Sequence, residues 1–255
     1  MPMLRANTIA FYYTVAGRAA HCPPVVLLHG AGGSRLDWPV ELRRMPGVQV
    51  WTLDLPGHGR SPGAGHTTVA GYARDVQAFL DAAQIERAVV VGHSMGGAIA
   101  QQLALDHPER VAGLVLIATG SKLPVEPSLP ERALATSAAA IQWVVERAWH
   151  PAASAAQLAL ARERLAQTSP VVLRGDFLAC QAFDVRGREH EIGVPVLVIG
   201  AAEDRMVRPD FSVTLATRVP GARLVMIEGA GHMVTLERPT EVARAIMEWL
   251  GEQRW

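Results

Sequence analysis

The stretch Gly92-His93-Ser94-Met95-Gly96-Gly97 stands between an apolar run, Ala88 to Val91, and a helical pattern that carries Ile99 and Leu103. A serine between a strand and a helix, with a small residue two positions away on either side, is typical of a sharp and strained turn. The glycines are needed because larger side chains would block the passage of the backbone. Such a turn places the Ser94 hydroxyl at the carboxyl edge of a sheet, beside a helix N-terminus. The alternative is a glycine turn that only packs the helix on its strand.

Short apolar runs with the length of strands recur before and after this turn. Runs that are apolar at nearly every position predict strands covered on both faces by helices. They are Val25 to Leu28, Val48 to Leu53, Ala88 to Val91, Leu114 to Ile117, Val196 to Ile199 and Leu224 to Ile227. Ile9 to Val15 precedes them and predicts an edge strand that could pair with the chain start.

Amphipathic stretches between these runs predict helices. Residues from Val69 to Ala83 share one apolar stripe at three- and four-residue spacing, and a second stripe, from Val242 to Leu250, follows Pro239 at a first helical turn. The helix after the serine turn should end near His107, because Pro108 disfavours helical backbone at the residue before it. Strands and helices that alternate with short connections predict an α/β fold, with a mostly parallel sheet and helices on both faces.

Residues 121–190 depart from this alternation. They contain no convincing strand, are rich in alanine and carry helical stripes, one of them formed by Ile141, Val144, Val145 and Ala148. Ser169-Pro170 has the pattern of a cap and first turn of another helix. The composition is too apolar for a disordered linker. We therefore expect a core domain of residues 1–120 and 191–255, with residues 121–190 as a helical insertion.

A base and an acid are needed beside the serine, because a serine hydroxyl alone is a weak nucleophile. In the chain order serine, acid, histidine, the base lies late, and His232 follows the last strand and precedes the last helix. It should lie at the same sheet edge as Ser94; a surface histidine is the alternative. Asp204 follows the preceding strand and would orient the imidazole. Glu203 and Asp210 are alternative acids, and a solvated loop aspartate is the simplest other interpretation of Asp204.

The anionic oxygen formed by serine attack needs two N–H donors that already point at it. The backbone N–H of Met95 would be one, at the start of the helix, and Ala31 in the loop His29 to Ser34 would supply the other. The same glycine-rich loop, with Asp54 after the next strand, also resembles a dinucleotide-binding loop. However, Arg35 stands where that pattern needs glycine or alanine. We therefore expect neither a cofactor nor a metal.

Composition and chain-level patterns limit what can be expected of partners, cysteine chemistry and location. The 255 residues include 24 basic and 24 acidic side chains, so net charge gives no reason to expect nucleic acid, an anionic membrane or a strongly charged substrate. Cys22 and Cys180 are isolated, and their spacing requires neither a disulfide nor a metal site. The first residues show no secretory signal, and no apolar run is long enough to span a bilayer. The expectation is a cytoplasmic protein without a membrane span, and its oligomeric state is open.

These motifs together resemble those of the α/β-hydrolase superfamily. The resemblance covers nearly the whole chain and is carried by His29-Gly30, Asp54 to Ser61, Gly92 to Gly97, Asp204 and Gly231-His232. It implies a sheet of eight strands, a serine, histidine and aspartate triad that works without a cofactor, and a cap formed by the insertion over an acyl pocket. Trp143, Phe177, Met206 and Met233 would line that pocket. For the aromatic side chains, packing within the insertion is the alternative.

Single residues narrow the reaction that the resemblance implies. Relatives with an aspartate nucleophile are excluded by Ser94, and carbon–carbon bond hydrolases resembling this fold usually have tryptophan where this chain has Met233. Cofactor-free haloperoxidases tend to have phenylalanine where this chain has His93. Cleavage of small-molecule carboxylic esters with short- to medium-chain acyl groups is the leading prediction, and the serine segment also resembles that of monoacylglycerol lipases. A carbon–carbon bond hydrolase, a cofactor-free perhydrolase and a hydrolase-like receptor for a small ligand remain alternatives.

Overall fold

A mixed β-sheet forms the centre of the fold. The structure is a computed structural model that describes residues 3–18, 22–135 and 137–255. Within these residues it has eight strands: β1 Met3–Ala6, β2 Ile9–Ala16, β3 Val25–Leu28, β4 Val50–Leu53, β5 Ala88–His93, β6 Val111–Ile117, β7 Val196–Ala201 and β8 Arg223–Ile227. Their order across the sheet is β1-β2-β4-β3-β5-β6-β7-β8. β1 and β2 pair antiparallel with their neighbours and the other pairings are parallel. This confirms the predicted mostly parallel sheet of eight strands.

Helices connect the strands from β3 onward. They are α1 Val40–Arg43, α2 Val69–Ala82, α3 Met95–Asp106, α4 Leu129–Ala135, α5 Ser137–Ala148, α6 Ala155–Leu165, α7 Pro170–Ala182, α8 Pro209–Arg218, α9 Val234–Glu237 and α10 Pro239–Glu252. The predicted limits agree for three of them: α2 carries the expected stripe, His107 directly follows α3, and Pro239 begins α10. Among the described residues, no helix is long and apolar enough to cross a membrane.

Strand side chains alternate between two apolar cores, one on each face of the sheet. In β3, Val26 and Leu28 belong to one core, and Val25 and Leu27 belong to the other. The first core also contains the apolar stripes of α2 and α3, and the second contains that of α10. Burial on both faces explains why the strand runs are apolar at nearly every position, since a strand with one solvated face alternates with polar residues.

β2 does not lie at the edge of the sheet, where the sequence predicted it. It pairs with β1 on one side and with β4 on the other, so the four-residue β1 is the edge strand. The expected pairing with the chain start is confirmed, but the edge position is wrong. The physical reason is local: Met3–Ala6 is too short to show an alternating pattern, although Met3 lies opposite Tyr12 and Ala6 opposite Ile9.

The helical insertion leaves the sheet after β6 and returns to it at β7. Helices α4 to α7 lie in it, and the Ser169 side chain caps α7 by accepting the Val172 N–H, as the sequence pattern indicates. Leu129, Ile141 and Phe177 belong to a third apolar core inside the insertion. Ala31, Met206 and Met233 pack against this core from the sheet domain. The insertion therefore covers the carboxyl edge of the sheet.

A β-bridge closes the base of the insertion. Lys122 and Asp184 form an antiparallel bridge, and the Val185 N–H donates to the Ser121 carbonyl over 2.8 Å. The two ends of the insertion therefore lie side by side, within the Cα spacing of about 5 Å that such a bridge requires.

Replacement of Gly96 by alanine should destabilise the fold strongly. A Cβ at position 96 would lie 2.1 Å from the Leu28 carbonyl oxygen and 2.7 Å from that of His29, and neither backbone atom can rotate away. Since α3 would have to move away from β3, we expect the free energy of unfolding to fall by about 3 kcal/mol or more, at the upper end of overpacking effects. Equilibrium urea unfolding measures this change.

Gly251→Ala is the matched control for that variant. Gly251 lies near the end of α10, and a Cβ there would meet no atom within 4 Å. Because alanine has a higher helix propensity than glycine, Gly251→Ala should raise the free energy of unfolding by up to about 1 kcal/mol. A Gly96→Ala protein as stable as the control would contradict the close approach of α3 to β3.

Candidate active site

The backbone turns sharply at Ser94, between β5 and α3. Ser94 has φ 54° and ψ −117°, a conformation that a residue with a side chain adopts only when its surroundings hold it there. Its N–H donates to the Ile117 carbonyl over 2.9 Å, and its carbonyl accepts from the Thr119 hydroxyl over 3.0 Å. A Cβ at Gly92 would lie 2.1 Å from the carbonyl oxygen of Gly96, so this side of the turn has room only for glycine.

His232 and Asp204 meet at the carboxyl edge of the sheet, after β8 and β7. His232 Nδ1 lies 2.7 Å from Asp204 Oδ2, and both side chains are buried. The other carboxylate oxygen, Oδ1, accepts the N–H groups of Met206 (2.8 Å) and Val207 (2.9 Å). Because an ionised carboxylate only accepts, Nδ1 of a neutral His232 carries the proton and Nε2 is the accepting nitrogen.

The two alternative acids make other contacts. Glu203 Oε2 accepts the Ala230 N–H over 3.0 Å, and Asp210 pairs with Arg208 on the surface. Neither of these bonds involves the imidazole. The structure therefore pairs His232 with Asp204 among the carboxylates that the sequence offered.

Ser94 and His232 line the same cavity, which has a volume of about 130 Å³. Trp143, Phe177 and Met206, which the sequence predicted for the pocket, line it as well. The other lining residues are mostly apolar: Ala31, Leu123, Pro124, Val125, Leu129, Cys180 and Val207, together with Arg147 and Arg205. The cavity is thus a small, largely apolar space between the Ser94 hydroxyl and the insertion.

A second cavity of about 340 Å³ lies under α5 and α6. Met233 lines this cavity and not the smaller one, which differs from the predicted position. Its lining includes neither Ser94 nor His232, and Ala31 is shared with the smaller cavity. Size alone would favour the larger cavity as a reaction site, but Ser94 and His232 line the smaller one. The smaller cavity is therefore the candidate reaction site.

The loop after β3 lies against the serine turn. A Cβ at Gly30 would be 3.2 Å from Ser94 Cβ, so glycine allows the loop its close approach. The Gly30 carbonyl accepts from His29 Nδ1 (2.8 Å), and His29 Nε2 accepts the Leu55 N–H (3.0 Å). Burial, with repulsion from the nearby His58, lowers the pKa of His29 to about 3, so its ring is neutral. Ala31, the oxyanion donor predicted from the sequence, comes next in this loop and lines the same cavity as Ser94.

Met95 begins α3, directly after Ser94. An amide at this first helical position has no acceptor inside the helix. The amides of Gly97 and Ala98, further along α3, already have an acceptor, because they donate to the Ser94 carbonyl. The start of α3 thus provides a backbone donor, with the positive end of the helix dipole behind it.

Asp54, the acid of the dinucleotide-binding alternative, binds the loops after β3 and β4. It accepts the Arg35 N–H (2.7 Å), the Arg35 guanidinium (2.8 Å) and the Arg60 N–H (3.0 Å). The carboxylate is fully buried. These contacts give Asp54 a structural role in the turns after β3 and β4.

His93 is a residue whose role the sequence did not indicate. It is buried, and its Nε2 donates to the His232 carbonyl over 2.8 Å. Burial and the adjacent His232 lower the pKa of His93 to about 3, so the ring stays neutral at ordinary pH. The bond fixes the backbone of the proposed base from the position directly before Ser94. The position of His93 inside the serine motif was the only hint of this role in the sequence, but the motif accepts any residue at that position.

Comparison with known proteins agrees with this architecture. A model of the alpha/beta hydrolase family matches residues 25–245. A pimeloyl-acyl-carrier-protein methyl ester esterase of Aromatoleum aromaticum is 32% identical, over 87% of this chain and 95% of that protein. A RutD protein of Variovorax paradoxus, named as a candidate carbamate hydrolase, is 31% identical, over 94% of this chain and 95% of its own length.

Solved structures agree as well. The structure of an enol-lactonase from Burkholderia xenovorans LB400 is similar with a TM-score of 0.91 and 26% identity, over 98% of this chain and 100% of that one. The family match covers most of the chain, from β3 to α10. The chain therefore belongs to the alpha/beta hydrolase family of hydrolytic enzymes.

Proposed function

We propose that the protein is a serine hydrolase that cleaves carboxylic esters, with Ser94 as nucleophile, His232 as base and Asp204 as the acid that orients the base. The observation that carries this proposal is the 2.7 Å contact between His232 Nδ1 and Asp204 Oδ2, with His232 and Ser94 lining one cavity. Serine hydrolases need an acid that holds the base and a base that reaches the nucleophile, whatever the order of the residues in the chain. The acid–base contact and the shared cavity support this arrangement, and the proposal adds the contact between His232 Nε2 and the Ser94 hydroxyl.

The reaction would proceed in two acyl-transfer steps. His232 Nε2 takes the Ser94 hydroxyl proton as the oxygen attacks the ester carbonyl, and the N–H groups of Ala31 and Met95 stabilise the resulting oxyanion. Collapse of this intermediate breaks the bond to the alcohol, which leaves with the proton held by His232. A water molecule then gives a proton to His232 and attacks the acyl-enzyme, and the acid is released as Ser94 is regenerated.

The lining of the smaller cavity favours a short- to medium-chain, largely apolar acyl group. Leu123, Val125, Leu129 and Phe177 would surround such a chain, in about 130 Å³. In this proposal the insertion, residues 121–190, acts as the cap over the acyl group. The pocket residues Trp143 and Met206 would contact the acyl group, whereas Met233 would lie beside the neighbouring cavity.

Labelling by a fluorophosphonate, combined with turnover of p-nitrophenyl esters of graded acyl length, tests the proposal. We expect stoichiometric labelling of Ser94 and multiple turnovers, with kcat/KM highest for short or medium chains because longer chains exceed the cavity. A lactone and an aryl carbamate belong in the series, since the names of the relatives include a lactonase and a candidate carbamate hydrolase. Labelling without turnover would instead favour a ligand receptor, and absence of labelling would contradict Ser94 as nucleophile.

Two further alternatives have their own substrates. A vinylogous diketone tests carbon–carbon bond hydrolysis, and hydrogen peroxide with a carboxylic acid tests perhydrolysis. We expect both activities to be lower than ester hydrolysis by at least about tenfold, because transition-state contacts that suit one leaving group do not serve another equally. A higher rate with either substrate would overturn the ester assignment while keeping the same nucleophile.

A further inference from the structure

Two side chains of the insertion hold Gly32, in the loop after β3, from both sides. The Gly32 N–H donates to Asp176 Oδ2 over 2.7 Å, and the Gly32 carbonyl accepts from the Thr168 hydroxyl over 2.8 Å. Asp176 is fully buried and Thr168 nearly so. Both hydrogen bonds join the insertion to this loop across the wall of the larger cavity, which Gly32 and Thr168 line. Gly32 has φ 66°, which glycine adopts without strain, so its own backbone preference leaves other conformations open to the loop.

The sheet domain in turn holds Asp176. Its Oδ2 also lies 2.8 Å from His58 Nε2, and its Oδ1 accepts the Tyr72 hydroxyl over 2.6 Å. His58 Nδ1 lies 3.1 Å from the Pro56 carbonyl, so both ring nitrogens face oxygen atoms. Burial opposes protonation of His58, but the Asp176 carboxylate outweighs it and the pKa of His58 is raised above its ordinary value. Asp176 is thus held in place by His58 and Tyr72 of the sheet domain.

The neighbouring peptide, which carries the Ala31 N–H, is also fixed. Its carbonyl, that of Gly30, accepts from His29 Nδ1 (2.8 Å) and from the Gly33 N–H (3.1 Å). Because the peptide is planar and trans, the Ala31 N–H points away from these two donors. Ala31 is the residue shared by both cavities. The direction of its N–H therefore depends on how the loop from His29 to Gly33 is held.

We propose that Thr168 and Asp176 are positioning residues that hold the loop through Gly32 and thereby aim the Ala31 N–H at the oxyanion. This inference rests on the proposed ester hydrolysis and adds that the insertion, besides covering the substrate, sets the geometry of a donor in the sheet domain. A donor displaced by about 1 Å can reduce a rate by about 100-fold. The effect falls on the transition state, since only there does the oxygen carry full negative charge.

Thr168→Val tests the proposal most directly, because valine keeps the shape and loses the hydroxyl bond to Gly32. We expect kcat to fall by about tenfold or more with KM changed by less than about twofold, as for a group that acts only in the transition state. Affinity for a trifluoromethyl ketone, which forms an oxyanion on the serine, should fall by the same factor as kcat/KM. Thr168→Ser keeps the hydroxyl and should recover most of the rate.

Thr217→Val is the control for the loss of a threonine hydroxyl elsewhere in the chain, since the Thr217 hydroxyl, exposed on α8, donates to the Val213 carbonyl over an equal 2.8 Å. It should leave kcat and inhibitor affinity unchanged. Wild-type kcat in Thr168→Val, even with a lower melting temperature, would overturn the positioning role and leave Thr168 as packing alone.

Amide hydrogen exchange separates this inference from the proposed function. In Thr168→Val, but not in Thr217→Val, exchange of residues 30–33 should become faster by about tenfold while the core amides stay protected. If the wild-type protein hydrolyses no ester, the proposed function fails, but faster exchange in Thr168→Val would still show that Thr168 holds this loop. Unchanged exchange in Thr168→Val would overturn the holding role of Thr168, whatever the activity of the wild-type protein.

Discussion

Ser94→Ala is expected to lower ester turnover by a factor on the order of 10⁴ or more while the fold stays intact. Without the hydroxyl no acyl-enzyme can form, and the remaining contacts with the oxyanion give only a small residual rate. Stability should change little, because the Ser94 side chain makes no capping hydrogen bond to α3. We expect the free energy of unfolding to stay within about 0.5 kcal/mol of the wild-type value. Steady-state kinetics with the best p-nitrophenyl ester, together with urea unfolding, measure both effects.

Ser212→Ala is the control for a buried serine that lies outside the proposed site, on α8. Its turnover should be within about twofold of the wild-type rate, because it removes no group that contacts the reacting atoms. A Ser94→Ala protein with turnover comparable to this control would show that another group attacks the ester, and the assignment of the nucleophile would be wrong.

Asp204→Asn should lower kcat by about 10³- to 10⁴-fold through the tautomer of His232, as replacement of the triad acid does in serine proteases. Oδ1 of residue 204 accepts two backbone N–H groups, those of Met206 and Val207. An asparagine would keep its oxygen there and turn its NH₂ group toward His232 Nδ1. That nitrogen would then have to accept, so the proton would move to Nε2, which could no longer take the proton of Ser94.

Asp210→Asn provides the comparison, since Asp210 is exposed and pairs with Arg208 on the surface. Its kcat should match that of the wild-type protein because exposed ion pairs contribute little. Fluorophosphonate labelling should slow in Asp204→Asn in proportion to kcat. Retention of more than about a tenth of the wild-type kcat in Asp204→Asn would argue against this acid, and Glu203 would become the residue to replace next.

The strand, turn and helix around Ser94 could be predicted from the sequence because their causes are local. The apolar run of β5, the glycines that the turn needs and the stripe of α3 lie within a few residues of one another. The pairing of His232 with Asp204 spans 28 positions, but it follows from two parallel strands that end at the same sheet edge. These parts of the site needed no knowledge of how the insertion packs.

The remaining contacts depend on packing between distant segments. Gly32 and Asp176 are 144 positions apart, and their hydrogen bond depends on the angle at which α7 lies on the sheet domain. That angle is set by the apolar side chains of several helices together, which no single stripe specifies. The same cause explains why Met233 lies in the larger cavity and Phe177 in the smaller one. β2 was misplaced for a simpler reason, the shortness of β1.

The bridge between Lys122 and Asp184 would allow the insertion to be exchanged as one unit. Because its two ends already meet beside β6 and β7, a different helical segment can be joined at these points without changing the order of the strands. Under the proposed function, such an exchange would alter which acyl groups fit while leaving Ser94 in place. In the proposed arrangement, however, a replacement segment must also bring an acceptor and a donor for Gly32. A change in the insertion that alters substrate specificity would then also alter the reaction rate, because the same residues hold Gly32.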